Sequence, residues 1–161
     1  MAKRFTLCVL AMLVAACSST PPAPTVNERK ADALLLEGID AIQRKAFTEA
    51  LSSLLEANRY NPKSPQILGN LGVAYAGKNE FAKAEECWRK ALQLAPNFND
   101  ARLNLGILYI SGKHYPEAER NLKEAAKDLA YPKADQVAFQ LAQLYLLQNK
   151  PLLAEQQLKL A

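Results

Sequence analysis

Histidine occurs once in these 161 residues, at His114. A single histidine in a polar turn gives a zinc site or a histidine-based triad nothing to build on. No glycine-rich phosphate loop is present. Carboxylate pairs such as Glu85-Glu86 lie on a charged helix face and read as solvated charge rather than acid–base machinery. The chain is therefore read as no enzyme, with no catalytic residue, no metal ligand, no cofactor and no small-molecule substrate. Cysteine is scarce as well, at Cys8, Cys17 and Cys87, which excludes a disulfide framework. One-sided charge is missing too: 20 basic against 16 acidic side chains give +4, too little to argue for nucleic acid. The one long apolar run, residues 5–16, falls short of the about 20 residues that span a bilayer.

That short run has its own meaning. Lys3 and Arg4 precede it, and it is apolar except for Thr6, the pattern of a secretory signal. It ends in Leu13-Val14-Ala15-Ala16-Cys17, which resembles a bacterial lipobox. The resemblance implies that residues 1–16 are removed and that Cys17 becomes the acylated first residue, a covalent lipid being the only non-protein group expected. Removal takes Lys3 and Arg4, so 18 basic against 16 acidic side chains leave +2. Several acyl chains give stable membrane attachment, at about 0.8 kcal/mol per buried CH₂. By the same resemblance, Ser18 after the cysteine implies the outer membrane, with the folded part facing the periplasm. Residues 17–27 form a lipidated, proline-rich tether. At about 3.1 Å per residue its extended stretch holds the fold up to roughly 25–30 Å from the bilayer. Asn27 is the expected N-cap of the first helix, with Glu28 in its first turn.

From residue 28 onward the chain repeats. Ala50, Ala84 and Ala118 are 34 residues apart, and Ala154 follows after 36. Gly38, Gly72, Gly106 and Ala142 keep the same step, as do Leu54, Trp88, Leu122 and Leu158. Small residues let two antiparallel helices approach, and large ones fill the space between them. A 34-residue period of paired helical patterns resembles the tetratricopeptide repeat. The fold class is thus all-α, a tetratricopeptide superhelix of about four helix–turn–helix hairpins following a lipoprotein signal. The domain covers 28–161, with repeats at about 31–64, 65–98, 99–134 and 135–161. The helix pairs fall at about 28–44 and 47–59, 65–77 and 81–94, 99–111 and 115–129, 134–148 and 151–160. The period slips by two residues between Ala125 and Pro132, which should lengthen the exit of the third hairpin. The last helix pattern runs to Ala161 with no polar capping helix after it, so its end is expected to be covered by a partner or to belong to a shortened member of a longer family.

Such a stack holds another protein on its concave side. The inward residues of the first helices are read as Leu35, Ile39 and Ile42, then Val73 and Ala76, then Leu103, Ile107 and Ile110, then Phe139, Gln143 and Leu146. Together they make an apolar groove, expected to take an extended or helical apolar segment. Asn70 and Asn104, 34 residues apart, either hydrogen-bond a ligand backbone or bond their own helix neighbours. The cationic clamp for a terminal carboxylate has Gly69 and Leu103 where its side chains would be needed. Cys87, beside Trp88, reads as a half-buried filler.

Lipobox, tether and repeat stack together resemble the pilotin lipoproteins of type IV pilus biogenesis. The resemblance is sharpest at the slip, Glu124-Ala125-Ala126-Lys127-Asp128-Leu129-Ala130-Tyr131-Pro132, and continues through Asn149-Lys150-Pro151 and Ala154. It implies binding to secretin subunits and aid to their outer-membrane localisation or assembly. It also implies about six hairpins, where this sequence shows four. The alternative is a general periplasmic adaptor that scaffolds envelope enzymes or proteases.

Overall fold

The computed structural model describes residues 23–159. The lipobox, Cys17 and most of the tether lie outside these residues, as does the extreme C-terminus. Eight α-helices follow one another: α1 Val26–Gln43, α2 Phe47–Tyr60, α3 Pro65–Gly77, α4 Phe81–Leu94, α5 Asn99–Ser111, α6 Tyr115–Ala125, α7 Ala134–Leu147 and α8 Pro151–Leu158. They pair in sequence as four antiparallel hairpins, each packed on the next. Beyond these neighbours, α1 touches α3, α3 touches α5 and α5 touches α7. The odd-numbered helices therefore form the inner layer of a superhelix and the even-numbered helices the outer one.

The repeat phase explains the packing. A Cβ added at Gly38 would collide with Leu54, one at Gly72 with the indole of Trp88, and one at Gly106 with Leu122. Each glycine thus makes room for the large residue that closes its own hairpin. Trp88 also donates its indole N–H to the Gly69 carbonyl at 3.0 Å, so the one polar atom of this buried ring is satisfied. Ala50, Ala84, Ala118 and Ala154 are all buried, where a larger side chain would push the two helices apart. Phe47 packs on Gly77 of the following hairpin rather than on its own turn.

Three expected boundaries move by two residues or more. The first helix starts at Val26, and Thr25 rather than Asn27 caps it. The Thr25 hydroxyl accepts from the Glu28 N–H at 3.2 Å, and the Glu28 carboxylate accepts from the Thr25 N–H at 2.7 Å. This reciprocal pair satisfies two helix-start donors, which an isolated Asn27 cannot do. α6 stops at Ala125, four residues short of the expected 129. Asp128 is drawn out of the helix because its carboxylate accepts from the Asn99 side chain at 2.9 Å and from the Ala130 N–H at 3.1 Å. α8 ends at Leu158 rather than 160.

The two-residue slip thus forms a clasp onto the start of α5. Besides the Asn99–Asp128 bond, the Tyr131 hydroxyl donates to Asp100 at 2.8 Å and the Lys133 ammonium meets the same carboxylate oxygen at 2.6 Å. Asn99 is buried while Asp128 is exposed, so their bond is partly shielded from water.

Candidate protein-binding surface

The inner layer presents four helices edge to edge, and its side chains divide by depth. Leu35, Ile42 and Val73 are half-buried and packed on the core. Ile39 is half-buried as well. Ile107 and Phe139 stand 39% and 56% exposed and meet across one cleft between α5 and α7, with Asp135, Gln136 and Gln140 around them. Gln143 and Leu146 are exposed further along α7.

Leu103 and Ile110 do not belong to the groove. They are 3% and 8% exposed and sit in one buried cluster with Val137, Leu141 and Leu122. The odd-numbered helices lie against one another, so an inward-pointing residue near the α5–α7 seam is covered by α7. The expected groove residues also fall into two phases of the repeat. Ile39, Val73 and Ile107 share a phase whose fourth member is Gln143, whereas Phe139 is in phase with Leu35 and Leu103.

The two asparagines behave differently. Asn70 spends its Nδ2 on the Gln66 carbonyl, one turn back, at 2.8 Å. Asn104 makes no side-chain hydrogen bond among the described residues and is half-buried beside the Ile107 cleft. Gln66, Gln136 and Gln140 add further side-chain amides on the odd helices. An apolar floor edged by amides suits an uncharged polypeptide segment, since an amide both donates and accepts to a backbone.

A second cleft of about 720 Å³ opens on the outer side between α4 and α6, over Tyr109, with Phe81, Glu85, Arg89 and Arg120 at its walls. The Tyr109 hydroxyl donates to Glu85 at 2.7 Å, and Arg89 meets the same oxygen at 3.3 Å. Burial first, and then the Glu85 carboxylate, push the Tyr109 hydroxyl up to about 12. The next interface repeats the pair, Tyr145 donating to Glu119 at 3.2 Å. The sequence reading missed these latches. Their signal was present as Glu85 and Glu119, and Tyr109 and Tyr145, in register with the repeat. His114 rests edge-on to Tyr109, with ring centroids 6.2 Å apart. Cys87 is half-buried, and burial pushes its thiol up to about 11, which favours the protonated form at neutral pH. Among the described residues no group of three or more metal-ligating side chains is found.

Comparison with known proteins agrees with this geometry. Residues 65–98 match the tetratricopeptide repeat family model. The chain is 32% identical over 127 residues to the type IV pilus assembly protein PilF of Pseudomonas aeruginosa, a match spanning 78% of this chain and 50% of that protein. It is 26% identical over 100 residues to the E3 ubiquitin-protein ligase CHIP of Arabidopsis thaliana, covering 62% of this chain and 36% of that one. The chain thus spans half or less of the length of these relatives. The solved structure of Pseudomonas aeruginosa PilF superposes with a TM-score of 0.79 at 28% identity, over 83% of this chain and 60% of that one.

Proposed function

Because the chain is a tetratricopeptide-repeat protein, a scaffold that offers a curved surface to other proteins, we propose that it is a lipid-anchored pilotin. In this reading it binds secretin subunits and aids their localisation or assembly in the outer membrane during type IV pilus biogenesis. The observation that carries the reading is the similarity to PilF in both sequence and fold. Cys17 carries the acyl chains, the proline-rich tether spaces the repeats from the bilayer, and the stack faces the periplasm. The contact is the cleft of Ile107 and Phe139, with Asn104 free to meet a ligand backbone. The reading contains no catalytic step and no nucleic acid.

The test is secretin assembly in a strain lacking this protein and complemented with variants. Wild-type protein should restore secretin multimers in outer-membrane fractions. Cys17→Ser should leave an unprocessed or released chain and lose them. Ile107→Asp, which sets a charge against an apolar ligand face, should lose them while remaining helical and membrane-bound. Multimers at wild-type level in the deletion strain would overturn the reading. The similarity to CHIP over 100 residues favours a second one, because it shows that this repeat core is not specific to pilus proteins. In that reading the same cleft serves a general periplasmic adaptor. Crosslinking from outer membranes that recovers an envelope enzyme or protease in place of a secretin would establish it.

A further inference from the structure

The outer cleft over Tyr109 is open at positions that the preceding repeat fills from its own chain. Between the first and second hairpins, Phe47 lies on Gly77, where a Cβ would collide with its ring. One repeat later the same positions are Phe81 and Ser111. Ser111 carries the Cβ that Gly77 lacks, so Phe81 has no such seat. Phe81 is 50% exposed and lines the cleft together with Ser111. The second difference is charge. Lys83 sets its ammonium 5.3 Å from the centroid of the Tyr75 ring. In the next repeat Tyr109 stands for Tyr75, and Glu117 stands for Lys83. Among the described residues no cation lies over the Tyr109 ring. Glu117 is half-buried in the wall of the cleft, and among the described residues its carboxylate has no ion pair and no hydrogen bond. The other charges there are Glu85, paired with Arg89 at 3.3 Å, and Arg120, which is exposed.

We infer that this cleft binds a lysine or arginine side chain of a protein partner, with the aliphatic stem along Phe81 and the charge between the Tyr109 ring and the Glu117 carboxylate. A half-buried carboxylate without a counter-ion has lost part of its water and is weakly screened, so it gains from an incoming cation. The exposed Arg120 keeps its hydration and sets no comparable demand for an anion. The aromatic face attracts the same cation, and an apolar wall suits the stem of a long basic side chain. The Lys83–Tyr75 contact shows that chemistry already at work within the chain. The cleft opens on the outer side between α4 and α6, apart from the Ile107–Phe139 cleft, and the inference does not rest on the function proposed above.

The probes are three capped pentapeptides, with lysine, norleucine or glutamate between pairs of glycines. Each is titrated into the isotope-labelled full chain, and shifts are read at the Phe81, Gly112 and Glu117 amide signals. The lysine peptide should shift them saturably. The norleucine peptide, equally apolar but uncharged, should bind about 3–10-fold more weakly, the joint worth of a cation over an aromatic face and a partly exposed ion pair. The glutamate peptide should not bind. Glu117→Gln should narrow the preference for lysine to about 2-fold, leaving the aromatic contribution. Arg120→Gln removes a like charge and should tighten the lysine peptide. Ser111→Gly should let Phe81 pack as Phe47 does and lose the binding, while Ile107→Asp should leave it unchanged. Circular dichroism confirms that each variant folds, and the Glu117 and Arg120 variants keep the test open should Ser111→Gly disturb α5. No saturable shift, equal affinity for lysine and norleucine, or tighter binding of glutamate would each overturn the inference. So would weaker lysine binding in Arg120→Gln, which marks an anion site, or a dimer in sedimentation that the lysine peptide dissociates, which marks a second copy as the occupant.

Discussion

Four residues carry the bend of the four hairpins in a left-handed backbone: Lys45, Asn79, Lys113 and Asn149, with φ between 58° and 62°. None is glycine, although Gly77 and Gly112 stand close by in the chain. Those two glycines lie at helix ends with ordinary backbone, and the turn itself uses the next positions. An L-residue there costs roughly 1–2 kcal/mol. Lys113→Gly is therefore expected to stabilise the fold by about 1 kcal/mol, less the chain entropy that glycine adds. Thermal or urea melts check it. Tyrosines set a second effect at this scale. Burial, then Glu85, holds Tyr109 up to about 12 from an ordinary 10.0, and burial with a neighbouring carboxylate raises Tyr131 and Tyr145 as well. A raised folded-state pKa means the folded protein keeps a proton that the unfolded chain gives up. The stability they contribute is complete below about pH 10 and is lost as pH climbs toward about 12. Tyr109→Phe should flatten that alkaline decline relative to wild type in urea midpoints taken from pH 8 upward.

At the scale of the helix, most of the fold is written in the repeat phase. Gly38, Gly72 and Gly106 against Leu54, Trp88 and Leu122 specify how each hairpin closes, and the structure places them in contact. Gly72→Leu should cost on the order of 1–3 kcal/mol by overpacking Trp88, and an unchanged melting temperature would show that the contact is slack. What the period does not encode is contact between elements of different phase. The early end of α6 depends on the Asn99–Asp128 bond, a tertiary contact 29 residues apart with no counterpart in the other repeats. The burial of Leu103 and Ile110 depends on how closely α7 lies on α5, which a helix-by-helix reading of inward faces cannot see. The cap on α1 was misplaced by two residues because Asn27 and Thr25 are both good cap residues, and only the reach of Glu28 back to the Thr25 N–H separates them. Thr25→Ala should therefore cost about 0.5–2 kcal/mol, seen as faster amide exchange in the first turn of α1, and Asn27→Ala should cost little.

Across the whole molecule the buried residues fall into two clusters that meet inside α5. One runs from Ala31 to Leu105, and the other from Leu103 to Ala154. A repeat stack has the stability of its units plus that of each interface, so one weak interface lets part of the array open alone. The larger cluster holds Trp88 and the first two complete hairpins. The smaller one closes on a fourth hairpin whose Leu158 is largely outside it. The polar clasp at the slip spans the junction, tying Asp128, Tyr131 and Lys133 to Asn99 and Asp100 at the start of α5. Asp100→Ala with Asp128→Ala removes both acceptors and leaves the Asn99 amide buried without its partner, a loss of about 1–3 kcal/mol. Because those bonds tie only the segment that leads into the fourth hairpin to the start of α5, the loss should be local. Hydrogen exchange should rise across α7 and α8 and the slip segment, while α1 to α4 keep wild-type protection. Uniformly faster exchange from α1 to α8 would mean that the stack unfolds as one unit. In the expected case, opening of α7 also withdraws Phe139 from Ile107, and the concave cleft is lost before the first two hairpins unfold.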